Sequence, residues 1–242
     1  MRSSHKPPIF LGLAIAILCI GLLLSQPTPA TEDIIPLKPH PLPTSLAQWE
    51  DLTQSGDYFD QIEALKVGYL VWSQLPIKVY IEQPTDDQGL SWFGEIASAV
   101  EAWKAYLPLE IVADSNLADI QIFRRRPPLE PGNLRASSAE TRYQVFVRRR
   151  EDGTQMLSHR FIIWLSPTQT GKYISSAARH ELGHALGIWG HSPTQTDVMY
   201  FAQVREPPPI SPRDINTLKR IYSQPTRLGW PVTLSSQNTH FP

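Results

Sequence analysis

The segment RHELGHALGIWGHS, residues 179–192, contains three histidines and one glutamate at spacings that suit a metal site. His180 and His184 lie one helical turn apart, so both imidazoles can project from one face of a helix and bind the same ion. Glu181 shares that side of the helix without needing to bind the ion. Because a carboxylate beside a metal can accept a proton from metal-bound water, the spacing predicts hydrolytic chemistry with Glu181 as general base.

The residues after this helix predict a third ligand, His191. The His-Glu-x-x-His pattern alone also arises by accident on polar helix faces, so it needs support. Gly187 gives that support, because a helix that ends at glycine can turn through the left-handed region and fold back toward the metal. His191 is the next histidine, and Met199 follows it in TDVMY. Taken alone, Met199 is most simply interpreted as a core methionine.

These motifs resemble the metzincin zinc endopeptidases, and the matrixins most closely. HELGHALGIWGHS is similar to the matrixin pattern HELGHALGLxHS with one residue added, and DVMY stands where that family has its Met-turn. AVEAWKAYLPLEIVADSNLADIQIF and ISPRDINTLKRIYS also look like the family's first helix with its strands and its last helix. The resemblance implies one catalytic Zn²⁺ held by His180, His184 and His191, with Met199 as a hydrophobic floor. It also implies that YFAQVREPPP shapes the pocket for the substrate side chain after the scissile bond.

The added residue must be absorbed before His191 can reach the metal. One residue adds up to about 3.8 Å of chain, against a tolerance of about ±0.2 Å for a ligand distance. Gly190 is the residue type that permits a local bulge. Asp197 and Ser192 are alternative ligands, although the first is better suited to hydrogen-bonding the turn and the second is a loop residue. Glu206 is disfavoured as a ligand, because EPPP imposes extended backbone where a second zincin layout uses a helix.

The resemblance implies hydrolysis of a peptide bond by zinc-bound water, with Glu181 transferring its proton to the leaving amine. The expected substrate is a peptide or protein lying along an edge strand, for which RYQVFV and HRFIIWL are both candidates. Cys19 is the single cysteine, and it is not available to block the metal, so cysteine-based latency is not expected. The stretch between Arg124 and Arg142 lacks the acidic, glycine-rich pattern of animal matrixin calcium sites, so calcium is not predicted.

A non-catalytic exported binding protein on a degenerate metzincin fold is the alternative function. In that case Arg124–Arg126 and Arg148–Arg150 would hold an anionic surface. The three histidines and Glu181 argue against degeneracy, and solvated strand ends explain the arginines more simply. Neither run is interleaved with aromatic residues, and a formal net charge of -1 provides no general field for nucleic acid. No nucleic-acid partner is expected, and the protein is expected to be a monomer.

The elements that position the motif follow an N-terminal targeting segment, residues 1–30. MRSSHK supplies basic charge, and an apolar run covers residues 9–24, as in a secretory signal peptide or a short membrane anchor. The run is short for spanning a bilayer, and cleavage after Ala30 and retention as an anchor both remain open. Either outcome places the domain outside the cytoplasm, secreted or membrane-anchored.

The remaining chain divides by composition into three parts. Residues 31–65 are a proline-rich linker or N-terminal extension, within which the segment from Trp49 onward has apolar spacing that allows a short helix. Residues 66–224 form the catalytic domain, and residues 225–242 form a C-terminal tail. With 41% hydrophobic residues, the chain can bury one good core.

Strand and helix patterns in this domain predict an α+β fold. Alternating segments predict a mixed, twisted sheet of IKVYIE, ADIQIF, RYQVFV and HRFIIWL, with a hairpin at Asp152-Gly153 between the last two. SWFGEIASAVEAWKAYL has the spacing of a first amphipathic helix, capped by Ser91. Ser175 or Ser176 is the predicted cap of the active-site helix, and Ser211 with Pro212 begins the C-terminal helix.

Overall fold

A five-stranded mixed sheet and three longer helices make up the part of the chain that the computed structural model describes, namely Ile35 and residues 37–129 and 137–232. The elements, in chain order, are α1 (Thr44–Gln48), a 3-10 turn (Phe59–Gln61), β1 (Ile77–Ile81), α2 (Asp87–Lys104), β2 (Leu109–Val112), a second 3-10 turn (Ser115–Leu117), β3 (Ile120–Arg124), β4 (Ala139–Arg149), β5 (Gln155–Leu165), α3 (Lys172–Ala185) and α4 (Pro212–Tyr222). This arrangement confirms the α+β class and the three predicted helices.

The sheet has the strand order β2-β1-β3-β5-β4. The first four strands of that order are parallel, and β4 pairs antiparallel with β5 through the predicted hairpin at Gly153. Alternation did not single out strand β2, because only Leu109 of its four residues is buried. β4 forms one edge of the sheet, whereas β5 lies between two strands.

Helix α3, which carries the two predicted metal ligands His180 and His184, rests on the core formed by the sheet and α2. Phe161, Ile163 and Leu165 of β5 are fully buried at alternate positions, as a half-covered strand requires. α3 packs against α2, β4 and β5. The indole nitrogen of the buried Trp103 on α2 donates to the carbonyl of Arg179 on α3 at 2.8 Å, which fixes α3 next to its first histidine.

The starts of α2 and α3 differ from the predictions. Asp86 caps α2, where its carboxylate accepts a hydrogen bond from Gly89 N at 2.5 Å, so Ser91 lies within the helix and its predicted role was wrong. α3 begins after Gly171, one turn before the predicted caps Ser175 and Ser176, so this prediction was also wrong. The Ser175 hydroxyl instead bonds back into its own helix, as serine often does inside helices.

The start of α4 confirms its prediction. Ser211 accepts a hydrogen bond from Asp214 N, and the Asp214 carboxylate accepts one from Ser211 N, which makes a reciprocal capping box. Pro212 occupies the first turn, where its missing N–H removes no helical hydrogen bond.

Residues 37–65, predicted as a linker or an N-terminal extension, pack onto the rest of the fold. Leu46, Tyr58 and Ile62 are buried in the common core. The helix predicted from Trp49 onward is absent apart from the 3-10 turn, because backbone groups of this segment pair with distant parts of the chain. The tail is similarly packed over residues 225–232, where Thr226 pairs with Lys38.

The targeting segment, residues 1–30, lies outside the described residues, as do residues 130–136 and 233–242. Within the described ranges, no helix is both long enough and apolar enough to cross a membrane.

Candidate metal centre

Three histidines converge on one point at the end of α3. The candidate ligand atoms of His180, His184 and His191 all lie within 4.8 Å of one another. α3 supplies the first two from adjacent turns of one face, and the loop that follows α3 supplies the third. The structure therefore brings together the three residues that the sequence proposed as ligands.

Backbone carbonyls hold two of these imidazoles in a defined orientation. His180 Nδ1 donates to the carbonyl of Val198 at 2.9 Å, and His184 Nδ1 donates to the carbonyl of Ile188 at 2.8 Å. Because carbonyl oxygen only accepts, each Nδ1 carries the proton and each Nε2 keeps a free lone pair. Second-sphere contacts of this kind are typical of metal-binding histidines.

Burial favours the neutral form of all three histidines. Burial lowers the pKa of His180 to about 4, and burial with the adjacent His180 lowers the pKa of His184 well below its usual range. Burial also lowers the pKa of His191, the most exposed of the three. Neutral imidazole is the form that binds a metal, and a set of three nitrogen ligands suits zinc with an open coordination position.

Glu181 lines the same cleft as the three histidines, and its carboxylate contacts β4. Its carboxylate is buried, and it accepts a 2.6 Å hydrogen bond from the Thr141 hydroxyl on β4. Burial raises the pKa of Glu181 to about 7, the Thr141 hydrogen bond opposes this rise, and the Glu140 carboxylate adds to it. Within the described residues, the group that can hold a metal comprises the three histidines without Glu181.

The loop between α3 and His191 absorbs the added residue in two consecutive tight turns. Gly187 has φ +125°, which confirms the predicted left-handed turn, and a Cβ there would lie 2.5 Å from the Leu70 carbonyl oxygen. Trp189 N then donates to Gly187 O at 2.8 Å, and Gly190 N donates to Ile188 O at 3.0 Å. Both are three-residue turns, which shorten the path of the chain.

Gly190 is required for a reason other than the predicted bulge. Its φ is not among the positive values, but a Cβ at this position would collide with the backbone carbonyl of Gln61 in the N-terminal extension. Gly190 also forms an antiparallel bridge with Ile62. The glycine thus permits close approach of two backbones.

Met199 lies beneath α3, fully buried. A Cβ on Gly183 would occupy the position of the Met199 sulfur, so the absence of a side chain at Gly183 lets the methionine lie against the helix. The Met199 carbonyl accepts from Ser192 N at 2.8 Å, which ties the methionine to the residue after His191. The sequence did not predict this role of Gly183.

The alternative ligands are engaged elsewhere. Asp197 is fully buried, and its carboxylate accepts hydrogen bonds from the Ser192 hydroxyl and from Arg213 Nε. The side chain of Glu206 is 80% exposed and pairs with Lys172 Nζ at 2.8 Å. These residues stabilise the surrounding loops, and none of them joins the cluster of histidines.

Asp214 has a structural role that was not predicted from the sequence. Its buried carboxylate accepts hydrogen bonds from Val198 N at 3.0 Å, Met199 N at 3.4 Å and the Tyr58 hydroxyl at 2.6 Å. It therefore links the Met-turn to α4 and to the N-terminal extension. The capping pattern of α4 was the available signal, but it indicated only a helix start.

A cleft of about 530 Å³ runs past the histidines and Glu181. One wall is the beginning of β4 with the two serines before it, and the other is the segment that follows Met199. The lining residues on these walls include Ser137, Ser138, Ala139, Glu140, Tyr200 and Val204. The cleft therefore lies between an open strand edge and an irregular segment, a shape that can take an extended chain.

The comparisons with known proteins agree with this geometry. The family model described as Matrixin matches residues 72–223, well over half of the chain. A comparison with curated proteins gave no match. The matched range contains the three histidines, Glu181 and Met199, and it excludes the N-terminal extension.

Proposed function

Because the chain belongs to the matrixin family, whose members are zinc metalloproteases, we propose that it is a zinc-dependent endopeptidase. The observation that supports this proposal most directly is the convergence of three neutral imidazoles beside a buried carboxylate in an open cleft. His180, His184 and His191 would hold one Zn²⁺, and Glu181 would act on the substrate side of the ion.

The proposed reaction is hydrolysis of a peptide bond. His180, His184 and His191 would hold the ion, and when bound it would supply the Lewis acidity that activates water and polarises the scissile carbonyl. Glu181 takes one proton from the attacking water as its oxygen bonds to the carbonyl carbon. The same carboxyl would return that proton to the amine as the C–N bond breaks, in the manner of a general acid.

The substrate would lie along the beginning of β4. Of the two candidate strands, β5 has partners on both sides, whereas β4 is at the edge of the sheet. Ala139 to Thr141 line the cleft, so an extended peptide could pair with this end of the strand. This position lies immediately upstream of the RYQVFV segment, residues 142–147.

The remaining sequence predictions stay proposals. We propose export by residues 1–30, with membrane anchoring through residues 9–24 if that segment is retained, and a monomer without calcium. Fractionation of cells that express the full chain, followed by N-terminal sequencing, tests the first two. A purely cytoplasmic protein that starts at Met1 would contradict export.

The test of the proposed function uses the purified full chain and a library of internally quenched peptides. We expect cleavage in the presence of stoichiometric zinc, loss of cleavage with a chelator, and recovery when zinc is added back. A protein that purifies without stoichiometric zinc and cleaves no peptide would instead favour the non-catalytic binding protein.

A further inference from the structure

The segment before the family-matched region contacts the loop that carries the third histidine. We call residues 57–63 the strap. Ile62 in the strap forms an antiparallel bridge with Gly190, and Glu63 N donates to the carbonyl of Trp189 at 3.0 Å. These main-chain contacts hold the two residues that immediately precede His191.

The strap is also connected to the Met-turn, through the carboxylate of Asp214. The hydroxyl of the buried Tyr58 donates to Asp214 at 2.6 Å, and the Asp214 carboxylate accepts from Val198 N at 3.0 Å. The Val198 carbonyl in turn accepts from His180 Nδ1 at 2.9 Å. A continuous set of hydrogen bonds therefore connects Tyr58 to a second candidate ligand.

A further set of contacts attaches the strap firmly to α4. Tyr58 N donates to Thr217 Oγ1 at 3.1 Å, and Arg220 Nη1 pairs with the Asp57 carboxylate at 3.1 Å. Because α4 is itself packed into the core, the strap is a fixed support for residues 186–191, which we call the ligand loop.

The ligand loop needs such a support. It carries one residue more than the matrixin pattern that HELGHALGIWGHS resembles, and His191 at its end is exposed. Zinc–ligand distances are expected within about 0.2 Å of their standard values, so a loop that does not hold His191 in place would weaken binding of the ion. The strap contacts this loop at Trp189 and Gly190, the two residues before His191.

From this arrangement we propose that the strap, without binding the metal itself, positions His191 and His180 for zinc. Glu63 acts through its backbone N–H and Tyr58 through its hydroxyl, so both are positioning residues. The inference rests on the proposed zinc-dependent function, and it assigns a role to residues outside the matched range 72–223.

Glu63→Pro in the full chain tests the proposal, because proline removes the one N–H that bonds Trp189 O. Ile62 already has the extended conformation (φ -96°, ψ 127°) that a following proline requires. The matched control is Glu63→Ala, which changes the side chain and keeps the N–H. Zinc affinity is measured by competition with a chelator of known affinity, and the visible spectrum of the Co²⁺-substituted protein reports ligand geometry.

We expect Glu63→Pro to bind zinc about 10- to 100-fold more weakly than the wild type and to show an altered Co²⁺ spectrum, as loss of outer-sphere support typically does. Glu63→Ala is expected to match the wild type in both measurements. Wild-type affinity and spectrum in a folded Glu63→Pro would overturn the proposal, as would equal losses in the two variants.

If Glu63→Pro does not fold, a second variant tests the proposal. Tyr58→Phe loses only the hydroxyl that reaches Asp214, and we expect zinc binding about tenfold weaker. Unchanged affinity in Tyr58→Phe would then overturn the proposal. Absence of zinc binding by the wild type is a different result, because it overturns the proposed function on which the inference rests.

Discussion

The hydroxyl of Thr141 donates a 2.6 Å hydrogen bond to the carboxylate of Glu181, across the cleft wall from β4 to α3. The same hydroxyl lies 3.1 Å from the backbone carbonyl of Glu181. Both residues are buried. The edge strand that would bind substrate therefore also fixes the orientation of the proposed general base.

Replacing Thr141 by valine removes this donor while keeping the shape of the side chain. Because the hydrogen bond lowers the pKa of Glu181, its loss should raise that pKa further. A hydrogen bond to a charged group contributes about 1.5–3 kcal/mol, which corresponds to about one to two pH units. The acid limb of the kcat/KM profile should move upward by that amount.

The matched control is Thr141→Ser, which restores the hydroxyl and should bring the acid limb back toward the wild-type position. An acid limb that stays at the wild-type pH in Thr141→Val would show that the hydrogen bond does not influence the base. The rate profile with a cleaved quenched peptide provides the measurement.

His191→Ala removes the proposed third ligand, and Glu206→Ala removes the alternative. We expect His191→Ala to weaken zinc binding by more than the roughly 10- to 100-fold typical of losing an outer-sphere partner. Glu206→Ala should leave the affinity nearly unchanged, because Glu206 is exposed and paired with Lys172. Equilibrium zinc titration of both variants gives the comparison, and the reverse order would contradict the ligand set.

His159 makes the stability of the fold sensitive to acid. Its ring is buried and stacks on Trp72 at 3.9 Å, and its Nε2 has no hydrogen-bond partner among the described residues. Burial, with a smaller effect of Arg148, lowers the pKa of His159 from 6.5 to about 3. The unfolded chain therefore binds a proton that the folded chain does not bind between these two values. Stability from this residue is complete above about pH 6.5 and is lost progressively as the pH falls toward about 3.

His159→Phe should remove this dependence while keeping an aromatic ring against Trp72. Between about pH 7 and about pH 5, the free energy of unfolding should fall by about 2 kcal/mol less in the variant than in the wild type. Urea denaturation of the two zinc-loaded proteins at each pH checks the difference. Parallel pH dependence of the two curves would contradict the assignment.

Local patterns in the sequence were sufficient for most of the scaffold. The spacing of apolar residues in α2, the alternation in β5, the glycine turn at Gly153 and the cap at Ser211 each depend on neighbours within one element. The same is true of Gly187, whose position at the end of α3 already indicated a reversal of the chain. The spacing of His180 and His184 likewise follows from one turn of helix.

The supporting contacts of the site were not predictable in this way. Thr141 is separated from Glu181 by 40 positions and Tyr58 from Asp214 by 156, so neither pairing leaves a periodic signal. The apolar residues of the extension suggested a helix, but the tertiary partners of Ile62 determine its backbone. Gly190 was correctly identified as a position that needs glycine. The reason, however, is the nearby backbone carbonyl of Gln61, which leaves no room for a Cβ.

The central claim is that Glu181 transfers protons in a zinc-dependent hydrolysis and does not bind the metal. Its most direct test is to measure zinc content and peptide cleavage in the same preparations of the wild type and Glu181→Ala. We expect equal, stoichiometric zinc in both proteins, and cleavage by the variant reduced by at least about 10²- to 10⁴-fold. Loss of zinc from Glu181→Ala, or cleavage by it at the wild-type rate, would show that Glu181 does not have this role.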